Sequence, residues 1–261
     1  MPGRLPMNAE RVALRPRPAA EAIDLGLKLA RASWPRLVLV AALAQLPLLA
    51  LAALVFLWQP GLALLVLLWF QPTVDRPLLH VLSRELLGQR ISLRQLVRER
   101  GQWWTGMHLA SLSVFRFHPA RSFTLPIWQL ERASGSARRA RTRALNHGAG
   151  GSGVLLSLMG SVFELILIFG LFGLFGWLLP PSAWEGLNAP GWIGPGGVAD
   201  ELWAALIVAY AISAVLVEPF YVGGGFGLYL NQRCRLECWD LEPALRRLAE
   251  RAPGQRQAEA A

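Results

Sequence analysis

Lysine and arginine are missing from two long stretches of this chain, Leu37 to Asp75 and Ala144 to Gln232. All 26 basic residues fall elsewhere, seven in 1–36, thirteen in 76–143 and six in 233–261. Charge is scarce overall, at 16% of residues against about 25% in soluble domains. That excludes an ordinary water-facing surface over much of the chain. Cysteine is nearly absent. Cys234 and Cys238, spaced i, i+4 beside Arg233 and Arg235, read as small helix residues facing a reducing cytoplasm rather than as a disulfide. His80, His108, His118 and His147 are scattered without ligand spacing, so the sequence implies no metal and no other cofactor. Also missing are an H-E-x-x-H pair and any nucleophile with a base. Ser122 and His118 are near in sequence, but no carboxylate pattern joins them, and their segment reads as an interfacial loop. The reading is therefore non-enzymatic.

What is present is apolar length. Hydrophobic residues make up 54% of the chain and mean hydropathy is +0.37. A helix needs roughly 20 residues to cross a bilayer at about 1.5 Å per residue. Four segments are expected to do so: 37–58, 61–82, 154–179 and 202–230. The first is too long for the apolar core of a signal peptide. The second is interrupted by Gln71, Pro72, Asp75, Arg76 and Pro77. It is expected to continue to Leu82 with a kink at Pro72 or Pro77, its charged pair turned to protein or headgroups. The fold class is thus an all-α membrane protein, four transmembrane helices arranged as two hairpins. With every basic segment on one side, both termini are cytoplasmic by the positive-inside rule. Pro180 to Glu201 becomes an outer loop, with Trp177, Trp184, Trp192 and Trp203 as an aromatic belt.

Around the spans, residues 1–20 and 252–261 read as disordered, leaving 21–251 as one helical membrane domain. Two segments are expected to be amphipathic. In 21–34, Glu21, Asp24, Lys28 and Arg31 form a polar face against Ile23, Leu27, Ala30 and Trp34, and Pro35 ends the helix. In 83–117, Arg90, Arg94 and Arg98 stack at i, i+4 opposite Leu93, Leu96 and Val97. The part from Trp103 to Phe117 is interfacial or re-entrant, because a crossing there would split the arginines between two sides. His147 to Gly153 reads as a flexible lead-in to the third span. Gly170, Gly173 and Gly176 offer a strip for close helix approach.

Net charge of +9 and a pI near 11 raise nucleic acid as a partner. The arginines flank apolar blocks and no groove-reading motif accompanies them, so anionic headgroups are the expected partner and nucleic acid is not. The basic lipid-facing set is Arg90, Arg94 and Arg98. Inside the spans, Gln45, Glu164 and Glu218 lie about 14, 15 and 18 Å from the inner ends and form a candidate polar layer. It reads first as an interhelical lock and second as a transport path.

Three stretches carry a resemblance. They are Pro72-Thr73-Val74-Asp75-Arg76-Pro77-Leu78-Leu79-His80-Val81-Leu82-Ser83-Arg84, then Arg121-Ser122-Phe123-Thr124-Leu125-Pro126-Ile127-Trp128-Gln129-Leu130-Glu131, and Glu218-Pro219-Phe220-Tyr221-Val222-Gly223-Gly224-Gly225-Phe226-Gly227-Leu228-Tyr229-Leu230-Asn231. Together they resemble a group of uncharacterised bacterial inner-membrane proteins commonly encoded near MoxR-type ATPases and transglutaminase-like membrane proteins. The plan is more distantly similar to the membrane domain of some glycerophosphodiester phosphodiesterases, whose catalytic domain has no counterpart here. The resemblance implies a multi-pass protein of the bacterial inner membrane and no particular activity. The expected function is a non-enzymatic accessory or scaffold protein that docks lipids and partner proteins. Membrane proteins or further copies of the chain are the possible partners. The alternative is a small oligomeric transporter or channel using an intramembrane carboxylate.

Overall fold

The computed structural model describes residues 16–104, 112, 118–131, 135–178 and 200–237. The described residues are helical, without a strand. Among the described residues, four helical segments are long and apolar enough to cross a membrane: Trp34–Phe56, Pro60–Leu86, Gly150–Leu178 and Asp200–Leu236. They are compatible with an integral membrane protein.

Helix α1 (Ala19–Ala32) is followed at once by α2 (Trp34–Phe56). Pro35 does not terminate α1, as the sequence reading has it. It stands in the first turn of α2, where its missing N–H costs nothing. The buried face of α1 also differs from the expected stripe. Ala22, Gly26 and Ala30 are the buried positions, because this helix lies on backbone rather than on side chains. Of the stretch 1–20 expected to be disordered, residues 1–15 lie outside the described residues, and helix α1 already begins at Ala19. Arg17 accepts from the Asn231 amide at 3.0 Å and donates to its oxygen at 2.7 Å.

The second span is two helices, α3 (Pro60–Phe70) and α4 (Pro72–Leu86), joined at Gln71. The break comes at Pro72, while Pro77 is carried inside α4. Asp75 and Arg76 are turned into the protein and fully buried. Next come two short helices, α5 (Leu93–Arg98) and α6 (Arg100–Trp103). The single amphipathic helix expected from Ser83 is therefore absent. A capping box explains why. The Ser92 side chain accepts from the Gln95 N–H, and the Gln95 side chain accepts from the Ser92 N–H, starting α5 after Arg90. Arg90 thus lies outside the helical face shared by Arg94 and Arg98. Residues 105–111 and 113–117, which carry most of the expected re-entrant segment, lie outside the described residues.

Helix α7 (Arg121–Gln129) is buried along its length from Ser122, although its stretch reads as an interfacial loop in the sequence. Helix α8 (Gly135–Asn146) carries the arginine cluster. The turn His147–Ala149 then leads into α9 (Gly150–Leu178). Gly150 to Gly153 are helical rather than a flexible lead-in, and the Gln232 amide holds the turn by donating to the His147 carbonyl at 2.8 Å. Helix α10 (Asp200–Glu237) is the axis of the molecule. It touches α1, α2, α3, α4, α7, α8 and α9, while α2 packs on α3. Its second half is almost wholly buried from Val222 to Gln232. Toward the end of α9, Gly170 and Gly173 face open space, whereas Gly176 is buried. The expected outer loop, with Trp184 and Trp192, and the tail beyond Glu237, with Cys238, lie outside the described residues. Cys234 is buried.

Candidate functional site: a clamp of buried charge beside a membrane cavity

An arginine from outside the spans organises the polar interior. Position 121 opens α7, and the burial of the rest of that helix carries its guanidinium between α4 and α10. There Nε stands 3.1 Å from Asp75 Oδ2, and Nη2 stands 3.3 Å from Glu218 Oε1. The Asp75 approach is a charge contact rather than an aligned hydrogen bond, since neither atom has a hydrogen-bond partner. Gln71, at the break between α3 and α4, donates to the same Glu218 oxygen at 3.1 Å. The guanidinium also lies 5.4 Å from the centre of the Tyr221 ring, within cation–π range. Tyr221 Oη in turn accepts from the Ser122 N–H at 3.3 Å and bonds Ser157 on α9 at 3.0 Å. Four helices are tied through one cation.

Such burial is costly unless each charge is paired, because an isolated ion in a low-dielectric interior loses several kcal/mol of hydration. Asp75 and Glu218 are therefore not independent acids; they share Arg121. The arrangement is economical chemically: one forked, permanently charged cation serves carboxylates on two different elements.

Beside the clamp is a cavity of about 240 Å³, bounded among others by His118, Arg121, Ser157, Glu164, Glu218 and Tyr221. It has room for several waters at ~30 Å³ each. Glu164 is half-buried on α9, and its Oε1 has no hydrogen-bond partner among the described residues. Glu218 Oε2 is in the same condition. Burial lowers the pKa of His118 at the mouth of α7, which keeps its ring neutral in neutral solution.

Of the expected polar layer, the structure brings Glu164 and Glu218 to one cavity. Gln45 is buried on α2 but does not line that cavity, and neither atom of its amide finds a partner among the described residues. The sequence reading missed Arg121, Asp75 and Gln71. Hydropathy ranks a lone arginine between short apolar runs with the solvent-facing arginines, and nothing in the spacing shows that α7 tucks inward. The available signal was the three stretches quoted above: Asp75, Arg121 and Glu218 come one from each.

A second polar cluster lies at the end of α4. His80 Nε2 and Arg84 Nη2 meet Glu99 Oε2 at 2.8 and 2.9 Å. The His80 hydrogen bond holds the Glu99 carboxyl below its ordinary range. Arg94 and Arg98 project outward on α5, exposed. No group of three His, Cys, Asp or Glu side chains that could hold a metal occurs among the described residues.

The fold and site define an all-helical protein with four helices of bilayer length and a buried charge clamp among them. Comparison with known proteins adds nothing more specific: no family model, no curated protein and no solved structure matches this chain.

Proposed function

We propose that the protein is a non-enzymatic accessory or scaffold protein of a bacterial inner membrane, which docks anionic lipids and acidic partner proteins through its basic face. One observation carries this reading. Arg90, Arg94, Arg98, Arg100, Arg139 and Arg143 are all exposed, and none has an ion pair among the described residues. All six belong to the segment between the second and third long apolar helices. None of α5 to α8, at 4 to 12 residues each, is long enough to cross a bilayer. Each such arginine adds about 1 kcal/mol of attraction near an anionic surface, screened within a Debye length. The Arg121 clamp supports the same reading, since it fixes α7 and with it the start of the arginine-rich α8.

The test compares wild type with a variant carrying Gln at Arg94, Arg98, Arg139 and Arg143. Both are captured from native membranes and bound to vesicles with and without anionic lipid. The reading expects partner recovery and anionic preference to fall together, with the fold intact. Unchanged recovery and preference would defeat it.

A second reading, a small oligomeric transporter or channel, is favoured by Glu164, a carboxyl on an otherwise uncharged helix that lines the Glu218 cavity. Flux in proteoliposomes, abolished by Glu164→Gln without loss of fold, would establish it.

A further inference from the structure

Arg36 stands in the first turn of the first long apolar helix and Glu85 in the last turn of the second, and their side chains meet at 2.8 Å. Both residues thus mark the level at which two spans end, on the side where the basic residues gather. A cavity of about 640 Å³ opens there between α1 and the end of α4. Its floor is apolar, with Leu25, Leu29, Leu82 and Leu86, and three cations edge it: Lys28, Arg36 and Arg90. Glu85 is the single acid on its wall and is already held by Arg36. Lys28 pairs only with its exposed neighbour Asp24, at 2.7 Å on the same helix. A second cavity, of about 400 Å³, lies on the other side of Pro35 and Arg36. Its walls are mostly apolar: Leu39 and Val40 of α2 and Val81 of α4 on one side, Ile91, Leu93 and Leu96 from the start of the α5 segment on the other.

We propose that this double pocket binds one anionic phospholipid of the inner leaflet. Its phosphate would sit among Lys28, Arg36 and Arg90, and an acyl chain would lie in the apolar cavity beside Arg36. The physical match is threefold. Excess positive charge lines a pocket at the level where spans end, which is where headgroups lie. The apolar second cavity adjoins the charged one at Pro35 and Arg36, within reach of a chain whose phosphate sits in the first. Arginine and lysine stems also tolerate apolar contact while their heads reach polar groups. The site shares only Arg90 with the docking face described above, so the Gln variant at positions 94, 98, 139 and 143 leaves it intact and separates the two proposals.

The full-length protein, purified in a mild detergent, is titrated with phosphatidylglycerol and with phosphatidylcholine of the same acyl chains. Native mass spectrometry counts the bound lipid, with glycerophosphate and inorganic phosphate as further probes. The proposal expects one molecule of phosphatidylglycerol held at least about tenfold more tightly than phosphatidylcholine. The double variant Lys28→Gln/Arg90→Gln, which leaves the Arg36–Glu85 pair alone, should weaken binding by about five-fold or more per charge. Ala32→Phe, which fills the mouth of the larger cavity, should remove the bound lipid, and should it fail to fold, the double variant decides. Equal binding of the two lipids, or binding of free phosphate as tight as that of the lipid, would overturn the proposal. So would a double variant that binds like wild type.

Discussion

The carbonyl of Gly223 faces the α-carbon of Gly26 across the crossing of α10 and α1, so closely that not even a methyl group fits between them. One turn further along α10, Gly227 meets the Ala22 carbonyl in the same way. The two helices touch backbone to backbone, which only glycine allows, as in other close helix crossings of membrane proteins.

Gly26→Ala and Gly227→Ala should therefore force α1 off α10. Overpacking of a tight contact costs about 1–3 kcal/mol. Thermal unfolding in detergent should show it as a clear fall in Tm for either variant. Gly170→Ala and Gly173→Ala, where an added methyl would meet nothing, should melt with wild type. Equal behaviour of the two sets would mean that α1 is not seated on α10.

Removing the clamp should be worse than removing its charges together. Arg121→Gln leaves Asp75 and Glu218 buried without their cation and should cost about 3–5 kcal/mol. Combining it with Asp75→Asn and Glu218→Gln should recover much of that loss, because no uncompensated ion then remains. A mutant cycle read by thermal unfolding decides; strict additivity of the three losses would show that Arg121 does not bridge them.

At the end of α4, pH should loosen α5 and α6 selectively. Glu99 has a folded pKa below its ordinary 4.5. Its contact with His80 and Arg84 is therefore fully stabilising above about that value and is lost as pH falls through the lower folded pKa. Once the intrinsic slowing of exchange in acid is divided out, the protection of amides in 93–103 should fall on acidification, and Glu99→Gln should show low protection at every pH. A pH-independent profile in wild type would contradict the assignment.

Topology can be read with single cysteines at Ser136 and Ser182, in a chain lacking Cys234 and Cys238. Ser136 is exposed on α8; Ser182 lies outside the described residues, in the expected outer loop. An impermeant thiol reagent applied to intact cells should label position 182 alone. Labelling at both would refute the arrangement with all basic segments inside.

Long apolar runs made the first, third and fourth long helices legible, since such a run leaves a helix few other environments; the second was legible only by extending a short run through its interrupted half to bilayer length. The break at Pro72 was legible for the same kind of reason, because proline removes a donor and crowds the preceding turn. Periodicity misled at α1. Its buried face is Ala22, Gly26 and Ala30, residues chosen for small size against a glycine-rich partner, not for hydrophobicity. Arg90 was misplaced because i, i+4 spacing ignores capping, and Ser92 with Gln95 starts the helix two residues later. Arg121 was illegible for a deeper reason. Its burial depends on Asp75 and Glu218, 46 and 97 residues away in the sequence, and no local pattern records a partner at that distance.

The position of α10 in the chain governs how the protein can be made. Of the described helices it is the last to leave the ribosome, yet α1, α7 and α9 all rest on it. Until it inserts, Arg121 lacks the second of its carboxylates and the glycine face of α1 has nothing to lie against. The nascent protein must wait in the bilayer with its earlier helices unseated. Synthesis that stops before residue 218 therefore leaves a product missing a buried counter-charge, the kind of defect that membrane quality-control proteases can act on.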